Sequence, residues 1–276
     1  MKKKLMLIPA YILSTVIGFL LAGFLFSIVA SLALKMTITK DLLQSYTSYI
    51  YLFSTVFQLI GLVVYLKYVL KKDLTYVNWR NNFSKLFKGY LLGFLMSAFI
   101  AIILLITNSI KISSYDFSFL KWIFVFLIAF LIQAAGEELL IRGFVYNFFK
   151  EKFSVLKAII ISSIIFTLFH VSNDGFNLFS ILNTFLMGIF LANLVNHTKS
   201  LELTTGIHAA WNFFISIFFG FNVSGVDLRS FIKLEYLDQS LTGGKYGPEA
   251  SVLFTILIMI LLALSYKIIH NKKELS

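Results

Sequence analysis

The sequence contains no cysteine, only two prolines and few charged residues for its 276 positions. The absence of cysteine excludes a thiol nucleophile, disulfide bonds and any zinc site built from cysteine ligands. The scarcity of proline is typical of long, uninterrupted helices. Charged residues make up 13% of the chain and hydrophobic residues 59%, far more apolar surface than a soluble domain can use. These proportions predict a protein that crosses a lipid bilayer several times.

The net charge of +11 is distributed in a way that indicates membrane topology. Lys and Arg form short clusters between apolar runs and do not follow one face, so no nucleic-acid partner is predicted. The clusters lie at residues 2–4, 71–88, 150–157 and 272–273. If the spans alternate in direction, all four clusters fall on one side, which the positive-inside rule assigns to the cytoplasm. Both termini are therefore predicted to be cytoplasmic, and the loop at 220–249 to lie outside.

The apolar runs predict an all-α bundle of about eight transmembrane helices. They occupy residues 5–34, 46–70, 89–110, 119–149, 154–171, 178–196, 201–219 and 250–270. The first run is too long for the apolar segment of a secretory signal, so we expect it to be a retained span. No repeat or linker divides the chain, and a single transmembrane domain over residues 1–276 is predicted.

Ionisable and amide side chains interrupt the central apolar runs. Charged groups inside a membrane cost roughly 2.5–3.5 kcal/mol on insertion scales, so they usually face a bundle interior or a wet cavity. The residues concerned are Glu137, Glu138 and Arg142 in the fourth run, His170 in the fifth, and His208 and Asn212 in the seventh. At 1.5 Å of rise per residue, the depths of Glu137, His170 and His208 allow them to meet at one level.

The carboxylates are predicted to have unequal roles. Glu138 and Arg142 are four residues apart and share a helix face, so they can form an ion pair, whereas Glu137 points about 100° away. An unpaired carboxylate in a poorly solvated cavity suits general-base chemistry. A buried polar network that only fixes helix packing remains an alternative for this motif, and a packing role remains open for each histidine.

Three short motifs carry a resemblance to a known family. Residues 137–142 read EELLIR, residues 166–170 read FTLFH and residues 208–212 read HAAWN. In this order they match EExxxR, FxxxH and HxxxN, and the chain resembles the CPBP family of CAAX proteases and bacteriocin-processing enzymes, also called the Abi family. The resemblance assigns the catalytic core to residues 119–220.

The resemblance implies an intramembrane endopeptidase of the glutamate type, in the cell membrane, with a cavity open toward the cytoplasm. Glu137 would activate a water molecule with the help of His170, and His208 and Asn212 would hydrogen-bond the developing oxyanion. Glu138 and Arg142 would orient the first glutamate and its helix. The implied partners are a membrane-associated peptide or protein substrate and the lipid bilayer.

The resemblance leaves the cofactor open, because family members have also been described as metalloproteases. Glu137, His170 and His208 could supply ligands for zinc. The sequence lacks an HExxH motif, and a His with an Asn four residues later suits an oxyanion site better. We therefore expect no cofactor, with zinc as the alternative.

Two other functions are compatible with the sequence. Some relatives are assigned to bacteriocin self-immunity, so a non-catalytic immunity or membrane scaffold protein is the main alternative. A transporter with a proton relay through Glu137 and the histidines is physically possible. The absence of a repeat relating the two halves of the chain argues against it.

Overall fold

The computed structural model describes residues 46–274 and, before them, helical residues within 17–28 other than 19, 22 and 26. The predicted first span at 5–34 therefore lies mostly outside the described residues, and the basic cluster at 2–4 lies wholly outside them. The described chain is mostly helical, which confirms the helical part of the predicted fold class.

The part of the chain that the structure describes from residue 46 onward contains nine α-helices and two short strands. They are α1 (Thr47–Val64), α2 (Phe83–Ile106), β1 (Ile110–Tyr115), α3 (Ile123–Glu138), α4 (Tyr146–Lys150), α5 (Val155–Leu168), α6 (Leu178–Thr198), α7 (Leu201–Phe213), β2 (Ile232–Tyr236), α8 (Gln239–Thr242) and α9 (Val252–Glu274). Single π-helical turns continue three of the helices, at Tyr65–Val69 after α1, Leu139–Val145 after α3 and Phe214–Phe218 after α7.

Within the residues that the structure describes, four helical segments are long and apolar enough to cross a membrane. They are Leu52–Val69, Phe83–Ile106, Phe117–Lys150 and Leu178–Thr198, with shorter apolar helices at Val155–Leu168 and Val252–Ile268. The predicted count of eight spans is therefore not confirmed. The seventh predicted run differs for a physical reason: α7 is buried at nearly every position inside the bundle, so it needs no apolar surface toward lipid.

Glycines allow α2 and α7 to approach at backbone distance. A Cβ atom placed on Gly89 would lie 2.0 Å from the carbonyl oxygen of Leu203, and one on Gly93 would lie 2.3 Å from that of Ile207. From the other side, a Cβ on Gly206 would lie 2.2 Å from the carbonyl oxygen of Leu86. Small residues four positions apart are a common device for close helix packing in membranes. This contact fixes the depth and rotation of α7, which carries two of the predicted site residues.

The bundle has two distinct ends, which we name by their contents. At the basic end, the loops around 71–88, 147–157 and 198–201 meet: Lys85 Nζ donates to the carbonyl oxygen of Thr198 at 2.9 Å, and Leu201 N donates to that of Asn78 at 3.0 Å. At the sheet end, β1 pairs antiparallel with β2. An ion pair between Arg229 and Asp116, 2.7 Å long, joins the loops there. Helix α2 runs from the basic end to the sheet end, and α3 runs back.

Candidate active site

The end of α3 carries the predicted ion pair. Arg142 Nη1 lies 2.7 Å from Glu138 Oε1, and both side chains are 0% exposed. The guanidinium also lies over the ring of Phe166, with 4.3 Å between Cζ and the ring centroid. Among the described residues, Arg142 Nε and Nη2 find no hydrogen-bond partner, so Glu138 is the one anion that balances this buried charge.

His208 on α7 lies between the two adjacent carboxylates. Its Nδ1 is 3.1 Å from Glu138 Oε1, and because an ionised carboxylate only accepts hydrogen bonds, Nδ1 is the donor. Its Nε2 is 3.8 Å from Glu137 Oε2. A carboxylate that holds one ring nitrogen fixes both the tautomer and the orientation of an imidazole. The structure therefore links His208 to Glu138, a contact that the sequence did not suggest.

Glu137 is less isolated than the sequence indicated. Its side chain is 19% exposed, and Gln133 Nε2 donates a hydrogen bond to its Oε1. Gln133 Oε1 in turn accepts from Asn212 Nδ2 at 3.1 Å. The prediction of a carboxylate without a partner is thus corrected, because an amide one helical turn earlier holds it in place. The signal was available locally, since Gln133 and Glu137 are four residues apart.

His170 lies two residues beyond the end of α5, not inside a helical span. Its Nδ1 is 2.8 Å from the carbonyl oxygen of Phe166, which can only accept, so Nδ1 donates. The ring packs edge-on against that of Phe166 at a centroid distance of 4.8 Å. With Nδ1 held in this way, Nε2 is the nitrogen available to another group.

The four predicted catalytic residues line one cavity of about 110 Å³. Glu137, His170, His208 and Asn212 converge there from three different helical regions, together with Gln133. The rest of the wall is largely apolar and includes Leu52, Phe130, Phe166, Phe169, Val223, Val226 and Leu228. A carboxylate, two imidazoles and an amide around a small cavity could activate water and bind a developing negative charge.

A third carboxylate reaches the site from the loop before α9. Glu249 accepts hydrogen bonds from Trp211 Nε1 at 2.8 Å and from Ser224 Oγ at 2.9 Å, as well as from the backbone N–H of Ser224. With His170 and His208 it lines a smaller cavity of about 30 Å³. Burial raises the pKa of the Glu249 carboxyl, and the hydrogen bonds from Trp211 and Ser224 oppose that rise.

Sequence reasoning missed Glu249 and counted it among the charges of an outer loop. The contact with Trp211 joins residues 38 positions apart, so no local spacing could have indicated it. The loop matters in a second way, because Val223, Val226 and Leu228 line the main cavity. The loop predicted to lie outside therefore forms part of the cavity wall.

The residues considered for zinc do not form a metal cluster. Within the described part of the chain, no three His, Cys, Asp or Glu side chains are grouped so that they could hold one ion. Glu137, His170 and His208 line the same cavity, and with Nδ1 of each histidine donated to another acceptor, Nε2 is the ring nitrogen that an ion would use.

Comparison with known proteins returns one family. Residues 119–214 match the family model described as Type II CAAX prenyl endopeptidase Rce1-like. Searches of curated proteins and of solved structures return no match. The matched segment begins just before α3 and ends just after α7, so it contains all four predicted catalytic residues.

Proposed function

Because residues 119–214 are a domain of the Rce1-like family, which is a protease family, we propose that this protein is an intramembrane endopeptidase. It hydrolyses a membrane-associated peptide or protein through a water molecule activated by Glu137. The matched family and the candidate membrane helices agree on a membrane location. The description of the family names prenylated substrates, but no residue described above indicates a prenyl group on the substrate of this chain.

One observation carries the proposal: two adjacent carboxylates have different surroundings. Glu138 is fully buried and neutralises Arg142, so it has no contact with the cavity that a substrate could use. Glu137 lines the cavity and is oriented by Gln133. A general base must be both reachable and positioned, and Glu137 meets both conditions.

The reaction begins with proton transfer from water to the Glu137 carboxylate. The resulting hydroxide attacks the carbonyl carbon of the scissile peptide, and the carbonyl oxygen becomes an oxyanion. The Nε2 atom of His170, whose Nδ1 is fixed on Phe166, helps to orient the water. The proton then passes to the leaving nitrogen as the C–N bond breaks, so the products are a carboxylic acid and a free amine.

The oxyanion is bound by groups on α7. Asn212 Nδ2 carries two hydrogens, of which one is donated to Gln133, so the second remains available for the substrate. Nε2 of His208 lies on the Glu137 side of its ring and faces the same cavity, and because Nδ1 carries the proton donated to Glu138, Nε2 donates to the oxyanion in the protonated form of the ring. Removal of one such donor typically lowers kcat about 10²–10³-fold. Glu138 and Arg142 act through His208, whose ring they orient.

The test compares membrane proteomes of cells that produce the wild-type chain or the Glu137→Ala variant. We expect at least one membrane-associated precursor to accumulate in the variant, while the variant itself reaches wild-type levels in the membrane. A matched control is Glu235→Ala, which removes an exposed glutamate on β2 that lines neither cavity and should leave the proteome unchanged.

The same comparison separates the protease from the immunity or scaffold alternative. If a protective phenotype is known for the host, it should disappear in Glu137→Gln, which keeps the size of the side chain but cannot accept the proton. Full cleavage by Glu137→Ala, or a phenotype that survives Glu137→Gln, would contradict the proposed chemistry.

A further inference from the structure

The two ends of the bundle differ strongly in charge. Among the described side chains, the basic end has eleven Lys or Arg residues and three Asp or Glu residues, whereas the sheet end has five and six. The basic end carries Lys67, Lys71, Lys72, Arg80, Lys85, Lys88, Lys150, Lys152, Lys157, Lys199 and Lys267, with Asp73, Glu151 and Glu202. The sheet end carries Lys111, Lys121, Arg229, Lys233 and Lys245, with Asp116, Asp174, Asp227, Glu235, Asp238 and Glu249. An excess of Lys and Arg in short loops marks the cytoplasmic side of a membrane protein.

The catalytic cavity belongs to the sheet end. Part of its wall is the loop at 223–228, and Asn173 Nδ2 donates to the carbonyl oxygen of Ser224 at 2.8 Å, which joins this loop to the segment that carries His170. Both segments follow helices that run away from the basic end. The mouth of the cavity is therefore bordered by loops of the sheet end.

Buried side chains lie between the cavity and the basic end. Glu138 and Arg142, both fully buried, lie on that side of Glu137 because α3 runs toward the basic end. A buried apolar cluster also lies between much of the cavity and the basic end. It includes Leu62, Leu66, Val77, Leu139, Leu140, Ile141, Val145 and Leu201.

We infer that the cavity opens on the side of the membrane opposite the cytoplasm. The positive-inside rule places the basic end in the cytoplasm, and the cavity faces the other way. This orientation replaces the cytoplasmic opening that the family resemblance implied.

The inference also defines the substrate class, and that part rests on the proposed function. Substrates are polypeptide segments that have already crossed or entered the membrane and are cleaved at its outer surface. The wall of the cavity includes apolar side chains, among them Leu52, Phe130 and Val226, and the sheet end carries almost no net charge. The scissile bond is therefore flanked by apolar residues, with no requirement for a charged one.

The absence of cysteine makes the orientation directly measurable. Each of three single-cysteine variants can be labelled without background in spheroplasts, with a charged maleimide that does not cross membranes. Gln239→Cys places a thiol on the exposed surface of the sheet end, and Val226→Cys places one at the mouth of the cavity. Ser84→Cys places one on the exposed surface of the basic end. The wild-type chain is the unlabelled control, and membrane yield confirms that each variant accumulates.

We expect Gln239→Cys and Val226→Cys to be labelled in intact spheroplasts, and Ser84→Cys only after permeabilisation. The reverse pattern would overturn the inference, and so would equal labelling of all three, which would indicate two opposite orientations. The measurement needs no substrate. If labelling is as predicted but no precursor accumulates in Glu137→Ala cells, the orientation is supported and the proposed proteolysis is contradicted. If labelling is reversed and a precursor does accumulate, the proteolysis is supported and the orientation is contradicted.

Discussion

The two adjacent glutamates offer a comparison in which the same chemical change should have different effects, on stability at one residue and on catalysis at the other. Glu138→Gln and Glu137→Gln each replace one carboxylate by an amide of nearly the same shape. Glu138 is the partner of a fully buried Arg142, whereas Glu137 is 19% exposed and lines a cavity. We expect the first substitution to destabilise the fold and the second to abolish catalysis while the fold is retained.

The magnitude follows from what each substitution leaves behind. Glu138→Gln leaves the Arg142 charge buried without a counterion, and breaking a buried ion pair on one side costs about 3–5 kcal/mol. A loss of 1 kcal/mol lowers Tm by roughly 2–4 °C in chains of 150–250 residues, so a shift of roughly 6–20 °C is expected. Glu137→Gln strands no buried charge and keeps an acceptor for Gln133. Its Tm should stay within about 2 °C of the wild type, on the same scale.

The assay is thermal unfolding of the purified protein in detergent, followed by intrinsic fluorescence of the three tryptophans. The double variant Glu138→Gln with Arg142→Met tests whether the uncompensated Arg142 charge causes the loss of stability. Because it removes both charges, we expect it to recover at least half of the Tm lost in Glu138→Gln. Equal Tm losses in the two single variants, or a double variant no more stable than Glu138→Gln, would refute the assignment of Glu138 and Arg142 as a buried structural pair.

Three further predictions follow from the geometry. Gly93→Ala should lower Tm, because the added Cβ would lie 2.3 Å from the carbonyl oxygen of Ile207. In the control Gly136→Ala the nearest contact of the added Cβ is 3.9 Å, so Tm should stay unchanged or rise slightly through better helix propensity. The pKa of the Glu249 carboxyl is raised, which means that the folded protein holds this proton more tightly than the unfolded chain does. The group therefore stabilises the fold most at low pH, and this stability is lost as pH rises through the folded pKa. The Tm of the wild type minus that of Glu249→Gln should therefore be more positive at pH 5 than at pH 8. A difference that does not change with pH would contradict this. Finally, cleavage of an identified precursor in detergent should persist in the presence of 1,10-phenanthroline, with loss of activity and its recovery on adding zinc as the opposite result.

The sequence determined the features that depend on local spacing and composition. High hydropathy and few charges predicted a helical membrane protein, because a buried backbone in lipid must satisfy its own hydrogen bonds. The spacing of Glu138 and Arg142 predicted their ion pair, because residues four apart share a helix face. The three motifs likewise indicated which side chains line the cavity.

The tertiary structure decided the features that join distant parts of the chain. Asn212 meets Gln133 across 79 positions, His208 joins two carboxylates on another helix, and Glu249 enters from a loop. None of these contacts has a period or spacing that a sequence could display. The composition of the cavity wall belongs to the same class, since loop residues 223–228 join it from a distant part of the chain. Local spacing therefore determined which functional side chains are present, while long-range packing decided which of them are in contact and which residues surround them.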